Sequence, residues 1–447
     1  MQHWHNCILP FALTLAMGTA ACAQAAELGV LEPVAAKQQP LMKAAPSGKG
    51  QAPVVVRLTS GPLFDQIQRE AAGGFIAKVL ALDELAMHLA GSSKTSWLML
   101  SMEDGGFARK GFWLREGGSE HWLDEAFVDL VVDADSIADG GFEEIFAHEM
   151  GHVMLHRLLD LPQGYSRTPH HSYSTTDQQT ALDEGFATHF QAVSRMHTLN
   201  ARLRAQDMGL ESRSYVPLWQ SNLDRAYRID GVRQNWFVHQ QVPLPGAGDG
   251  IERRELSTLF DREHLKSAPQ MLASEGAVAT FFFRWLGPGD AGTDALRARY
   301  EPLFKAWRSM NSAGTKLTTD SPLLPLMAQT LVRESPEQGR KFLQVLMETS
   351  YGALASPKLA ASAEALARIG RSGNGQAFVP ALKQARQALA EETAAVQSRP
   401  ERLAALAGPA LWLRHPTRTT GSGFGERAPL TVDLNTAERE HLLAFPV

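Results

Sequence analysis

A third of the way along, the chain reads His148-Glu149-Met150-Gly151-His152. On a helix, residues four apart stand one above the other on the same face, so both imidazoles can reach one ion. Glu149 projects from the neighbouring position, near enough to touch a water on that ion. Zinc suits such a site: it accepts neutral imidazole, tolerates an open fourth position and lowers the pKa of its bound water towards neutrality. Histidine is also concentrated around this segment, seven of the fifteen falling between 148 and 197.

Two histidines leave a catalytic zinc one protein ligand short. One known spacing puts a glycine three residues after the second histidine and a third histidine three further on, but Leu155 and Leu158 hold those positions. The stretch Thr180-Ala181-Leu182-Asp183-Glu184-Gly185-Phe186-Ala187-Thr188-His189-Phe190 offers a carboxylate instead. Glu184 sits there in a helical run whose Gly185 and Ala187 allow close packing on the first helix. His170, His171 and His189 are the other candidates for the third position.

In these two segments the chain resembles the gluzincin clan of zinc metallopeptidases. That clan follows HExxH with a ligand Glu on a later helix, often in an Asn/Asp-Glu-Gly-Phe-Ala context, and Asp183-Glu184-Gly185-Phe186-Ala187 matches it over a resemblance covering about residues 97–197. It implies an α+β, zincin-like catalytic domain with a small mixed sheet, an HExxH helix and a Glu-ligand helix. It also implies one Zn2+ per chain held by His148, His152 and Glu184, with Glu149 as general base in the hydrolysis of a peptide or protein substrate. Some members place an Asp four residues after the ligand Glu to orient a zinc-bound His, whereas Thr188 stands there in this chain. Residues 97–101 and 107–114 resemble the edge-strand region that lies alongside substrate in that clan, a plain hairpin with a Gly-Gly turn being the alternative. Candidates for the oxyanion donor are Tyr173, Tyr215, Tyr227, His239, His170 and His171. His156, His189 and His197 read as core or supporting residues, and Glu275 as part of a helix start with a small-residue packing face.

The elements that must position these residues follow from periodicity and breakers. Residues 65–89 and 142–159 have helical spacing, 97–101, 112–114 and 126–132 read as strands, and Asp177 or Thr180 caps a helix running to about 197. Beyond that, 256–266, 271–286, 295–310, 323–333, 336–349, 358–369 and 379–396 read as helices. The expected order is a signal peptide over 1–26, a flexible linker over 27–53, the catalytic domain over 54–200, a mostly helical C-terminal domain over 201–407 closing the cleft, and a loosely ordered tail over 408–447.

Composition narrows the function classes. The 447 residues carry 43 Lys+Arg against 48 Asp+Glu, a net charge of −5, so there is no basic excess to hold nucleic acid. Mean hydropathy is −0.19, and past the N-terminus no apolar run reaches membrane-spanning length. Residues 1–26 contain no Asp, Glu, Lys or Arg, and an apolar run over 7–17 leads into small residues, which reads as an export signal. Thr19-Ala20-Ala21-Cys22 is similar to a lipoprotein cleavage box and makes Cys22 a candidate lipid anchor. Both cysteines, Cys7 and Cys22, lie in this segment, so the exported chain is expected to have no internal disulfide. The expected location is periplasmic or secreted. The rival to an enzyme is a catalytically inactive zincin-fold binding protein of the cell envelope.

Overall fold

The computed structural model describes residues 27–36, 39–48, 50–92, 95–161, 172–173, 175–205, 232, 235–243, 258–287, 289–290, 292–312, 316–318, 321–407, 412–414 and 431–434. The architecture is α+β, a small mixed sheet followed by a helical C-terminal region. The strands are β1 (Glu27–Pro33), β2 (Met42–Ala44), β3 (Gln51–Leu58), β4 (Thr95–Leu100), β5 (Gly106–Glu116) and β6 (Ser119–Leu130), in the spatial order β1-β4-β6-β5-β3-β2. β1 also pairs with β3, so five of them close on themselves. Side chains alternate between the two faces of a strand. One face contributes a separate apolar cluster of Leu31, Val55, Trp97, Met99, Phe112, Leu114 and Phe127, while Leu28, Val30, Leu98, Val128 and Leu130 on the other face join the main core with the helices.

Residues 27–53 are therefore not the flexible linker that their composition implies. β1 pairs in parallel with β4, from Glu27 opposite Thr95 to Leu31 opposite Met99, and antiparallel with β3. Leu28, Val30 and Leu31 are all buried. The pairing joins segments far apart in sequence, and only three apolar residues mark the strand, too few to stand out against the Ala, Pro and Gln around them. β4 is also not an edge, because β1 and β6 flank it. In β5 only Trp113 and Leu114 pair with β3, so among the described residues its first half, from Gly106 to Lys110, is paired with β6 alone.

The helix expected over 65–89 is two helices, α1 (Pro62–Ala71) and α2 (Gly74–Ala90), the second opening on Gly74 at φ +60°. A short α3 (Ala134–Asp139) begins with a reciprocal cap between Asp133 and Ser136. It leads into α4 (Gly141–Leu158), and α5 (Gln178–His197) follows. Within the helix expected over 256–266 the described residues form a strand instead: β8 (Thr258–Leu265) pairs antiparallel with β7 (His239–Pro243). Its Thr-Leu-Phe start favours extended backbone once a partner strand is present. The expectation over 271–286 splits into α6 (Ala268–Leu272) and α7 (Glu275–Leu286). The rest follow the periodicity closely, as α8 (Thr293–Ser312), α9 (Leu323–Glu334), α10 (Pro336–Thr349), α11 (Pro357–Arg371) and α12 (Gly375–Ser398).

One apolar core runs from Leu28 to Leu403 across the boundary expected at 200. Phe186 of α5 lies 5.2 Å from Phe282 of α7 and 4.7 Å from Trp307 of α8, centroid to centroid. In the expected tail, Trp412–Arg414 pairs with Thr431–Asp433. Residues 1–26, with Cys7 and Cys22, lie outside the described residues. Among the described residues no helix is long and apolar enough to cross a membrane.

Candidate metal centre

α4 is buried on almost every side: Phe142, Phe146, Met150, Val153, Met154 and Leu155 are all core residues. Glu143 and Glu144 in its first turn and His156 and Arg157 in its last suit the helix dipole. α5 begins where expected, the Asp177 carboxylate accepting from the backbone N–H groups of Gln179 and Thr180. The two helices run antiparallel, from the buried Glu144–Arg195 ion pair at 3.1 Å to the His156–Asp183 contact at 2.9 Å. Between these, a Cβ on Gly151 would lie 2.8 Å from Cα of Ala187, so only glycine lets the helices approach this closely.

This approach brings the predicted residues together. His148 Nε2 and His152 Nε2 are 3.3 Å apart, and Oε2 of Glu184 is 3.6 Å from the first and 3.5 Å from the second. Tetrahedral zinc with ligands at about 2.0–2.1 Å has donors roughly 3.3 Å apart, so the triangle is close to the size such an ion requires. Among the described residues, this trio is one of two groups of three metal-ligating side chains that could hold an ion. The other, His152, His156 and Asp183, shares His152 with it.

Asp183, beside the third donor, supplies what Thr188 does not. Its Oδ1 lies 2.5 Å from Nδ1 of His152 and its Oδ2 lies 2.9 Å from Nε2 of His156. A carboxylate on the far nitrogen fixes the histidine so that Nε2 faces the ion. Its position directly before Glu184 was visible in the sequence, but its aim towards α4 was not. Burial works against charge on Asp183, yet His156 and His152 hold its carboxyl far below the usual range. Burial likewise opposes charge on His152, and Asp183 and Glu184 outweigh it, raising that imidazole well above its ordinary pKa. An ion binding here therefore displaces a proton.

Glu149 is 7% exposed, and burial raises its carboxyl pKa, opposed by His148 and His152. It lies against the half of β5 that among the described residues lacks a second neighbour: a Cβ on Gly106 would be 3.1 Å from its Oε1 and 2.7 Å from Ile145. The arrangement could hold a divalent cation and place a carboxylate of raised proton affinity beside it, next to a strand segment that among the described residues is paired on one side only.

The remaining candidates are placed elsewhere or lie outside the described residues. His189 is a core residue: Nδ1–H donates to the Phe186 carbonyl, Nε2 accepts from the Tyr300 hydroxyl at 2.7 Å, and burial lowers its pKa to about 3. Tyr173 is buried and packs on Phe237 at 4.6 Å. His239 lines a cavity of about 370 Å³ with Tyr351 and Phe378, apart from the three donors. His170, His171, Tyr215 and Tyr227 are outside the described residues. Glu275, fully buried at the start of α7, accepts from the Ser172 and Thr188 hydroxyls at 3.2 Å each. No protein-family model, curated protein or solved structure matches this chain.

Proposed function

We propose that the chain is an exported zinc metallopeptidase of gluzincin type, with His148, His152 and Glu184 as ligands. The observation that carries this reading is the 3.3–3.6 Å triangle of donors with the buried Glu149 carboxylate on the adjoining helix position. Zinc bound there would acidify a water and polarise a scissile carbonyl. Glu149 takes the proton from the attacking water and passes it to the leaving amine, a role that its place beside His148 on α4 allows. Asp183 keeps His152 oriented. The start of β5, which among the described residues pairs with β6 alone, offers the backbone groups of its other edge to an extended chain, which gives affinity without demanding one sequence.

Export rests on the uncharged, apolar N-terminus, and tethering through Cys22 is part of the same proposal. The test is Glu149→Gln. The variant should keep its zinc and lose peptide hydrolysis by roughly 10²–10⁴-fold, the usual contribution of a general base. Hydrolysis at the wild-type rate would refute the assignment.

A further inference from the structure

His148 differs from His152 in one respect: its Nδ1 is buried and has no hydrogen-bond partner among the described residues. When Nε2 of a histidine binds a metal, Nδ1 carries the proton and needs an acceptor, and that acceptor is what holds the ring in place. Across the helix interface, Oε1 of Gln191 is also buried and, among the described residues, without a partner. Each of the two residues is only 8% exposed.

The register sets these two side chains opposite each other. Glu144 pairs with Arg195 and His156 with Asp183, so one turn forward on α4 corresponds to one turn back on α5. His148 lies one turn after Glu144, and Gln191 lies one turn before Arg195. The other polar side chains of α5 between 183 and 195 are engaged. Asp183 serves His152 and His156, Glu184 belongs to the donor triangle, and Thr188 donates to Glu275. Both nitrogens of His189 are bonded, Ser194 donates to the Gln191 carbonyl, and Arg195 pairs with Glu144.

We infer that Gln191 is the positioning residue for His148, its amide oxygen accepting the Nδ1–H when the metal is bound. The inference rests on reading His148, His152 and Glu184 as a metal site. It gives the two histidines different partners: a carboxylate for His152 and a neutral amide for His148.

Zinc affinity of the full-length protein, measured by competition with a chromophoric chelator, tests it without any substrate. Gln191→Met, which keeps the length of the side chain and removes the acceptor, should weaken zinc about 10–100-fold and alter the visible spectrum of the Co2+ form. The unfolding temperature of the metal-free protein should stay unchanged. Gln191→Glu, which restores an acceptor, should bind zinc at least as tightly as wild type. Wild-type affinity in the Met variant overturns the inference, as does loss of affinity in the Glu variant, which also decides the matter if the Met variant fails to fold. A wild-type protein that binds no zinc removes the metal site itself and this role with it.

Discussion

Glu143 stands in the first turn of the helix that carries both histidines, and replacing it should change how stability depends on pH. The side chain is 4% exposed, and its Oε1 has no hydrogen-bond partner among the described residues. Burial, reinforced by the like charges of Glu70 and Glu144, pushes its carboxyl up from 4.5 to about 7, against the Thr198 hydrogen bond and Lys78. At about 1.4 kcal/mol per pH unit, that interval amounts to roughly 3 kcal/mol. Between these two values the folded protein holds a proton that the unfolded chain has released. The associated stability is present in full below pH 4.5 and is lost as pH rises through about 7. Glu143→Gln has no proton to lose. Relative to wild type it should gain up to about 3 kcal/mol between pH 5 and pH 8, read from urea unfolding in the presence of a chelator so that metal binding does not contribute. Parallel stability curves for the two proteins across that range would refute the reasoning.

Two further substitutions probe the helix pair. Asp183→Asn should weaken zinc binding about 10–100-fold, whereas His156→Ala should leave it close to wild type, both measured by chelator competition; equal effects would contradict the separate role of Asp183 towards His152. Gly151→Val should lower the unfolding temperature, since its Cβ would meet Ala187 at 2.8 Å, at a cost of about 1–3 kcal/mol, and an unchanged transition would mean that the helices do not approach so closely.

The donor set was legible because it depends on local regularities. Helical periodicity puts His148 and His152 on one face, and the Asp177 cap and the small residues Gly185 and Ala187 mark a second helix able to lie against the first. What the sequence could not convey depends on register between distant segments. Asp183 and Gln191 acquire their roles only when α5 lies antiparallel to α4 with Ala187 against Gly151. The same limit hid β1, whose partners are 22 or more residues away in β3 and β4, and it turned the residues of β8 into an expected helix. Lys266 is a further example. Lysine is seldom fully buried, yet here its ammonium is, donating to the Tyr173 and Phe237 carbonyls at 2.7 Å and to Ser274 at 2.9 Å, and it ties three separate segments together.

Elemental analysis of the purified protein, comparing wild type with Glu184→Ala, tests the metal centre most directly. The donor triangle predicts about one zinc per wild-type chain and much less in the variant. Zinc retained in full by Glu184→Ala, or absent from the wild type, would contradict it.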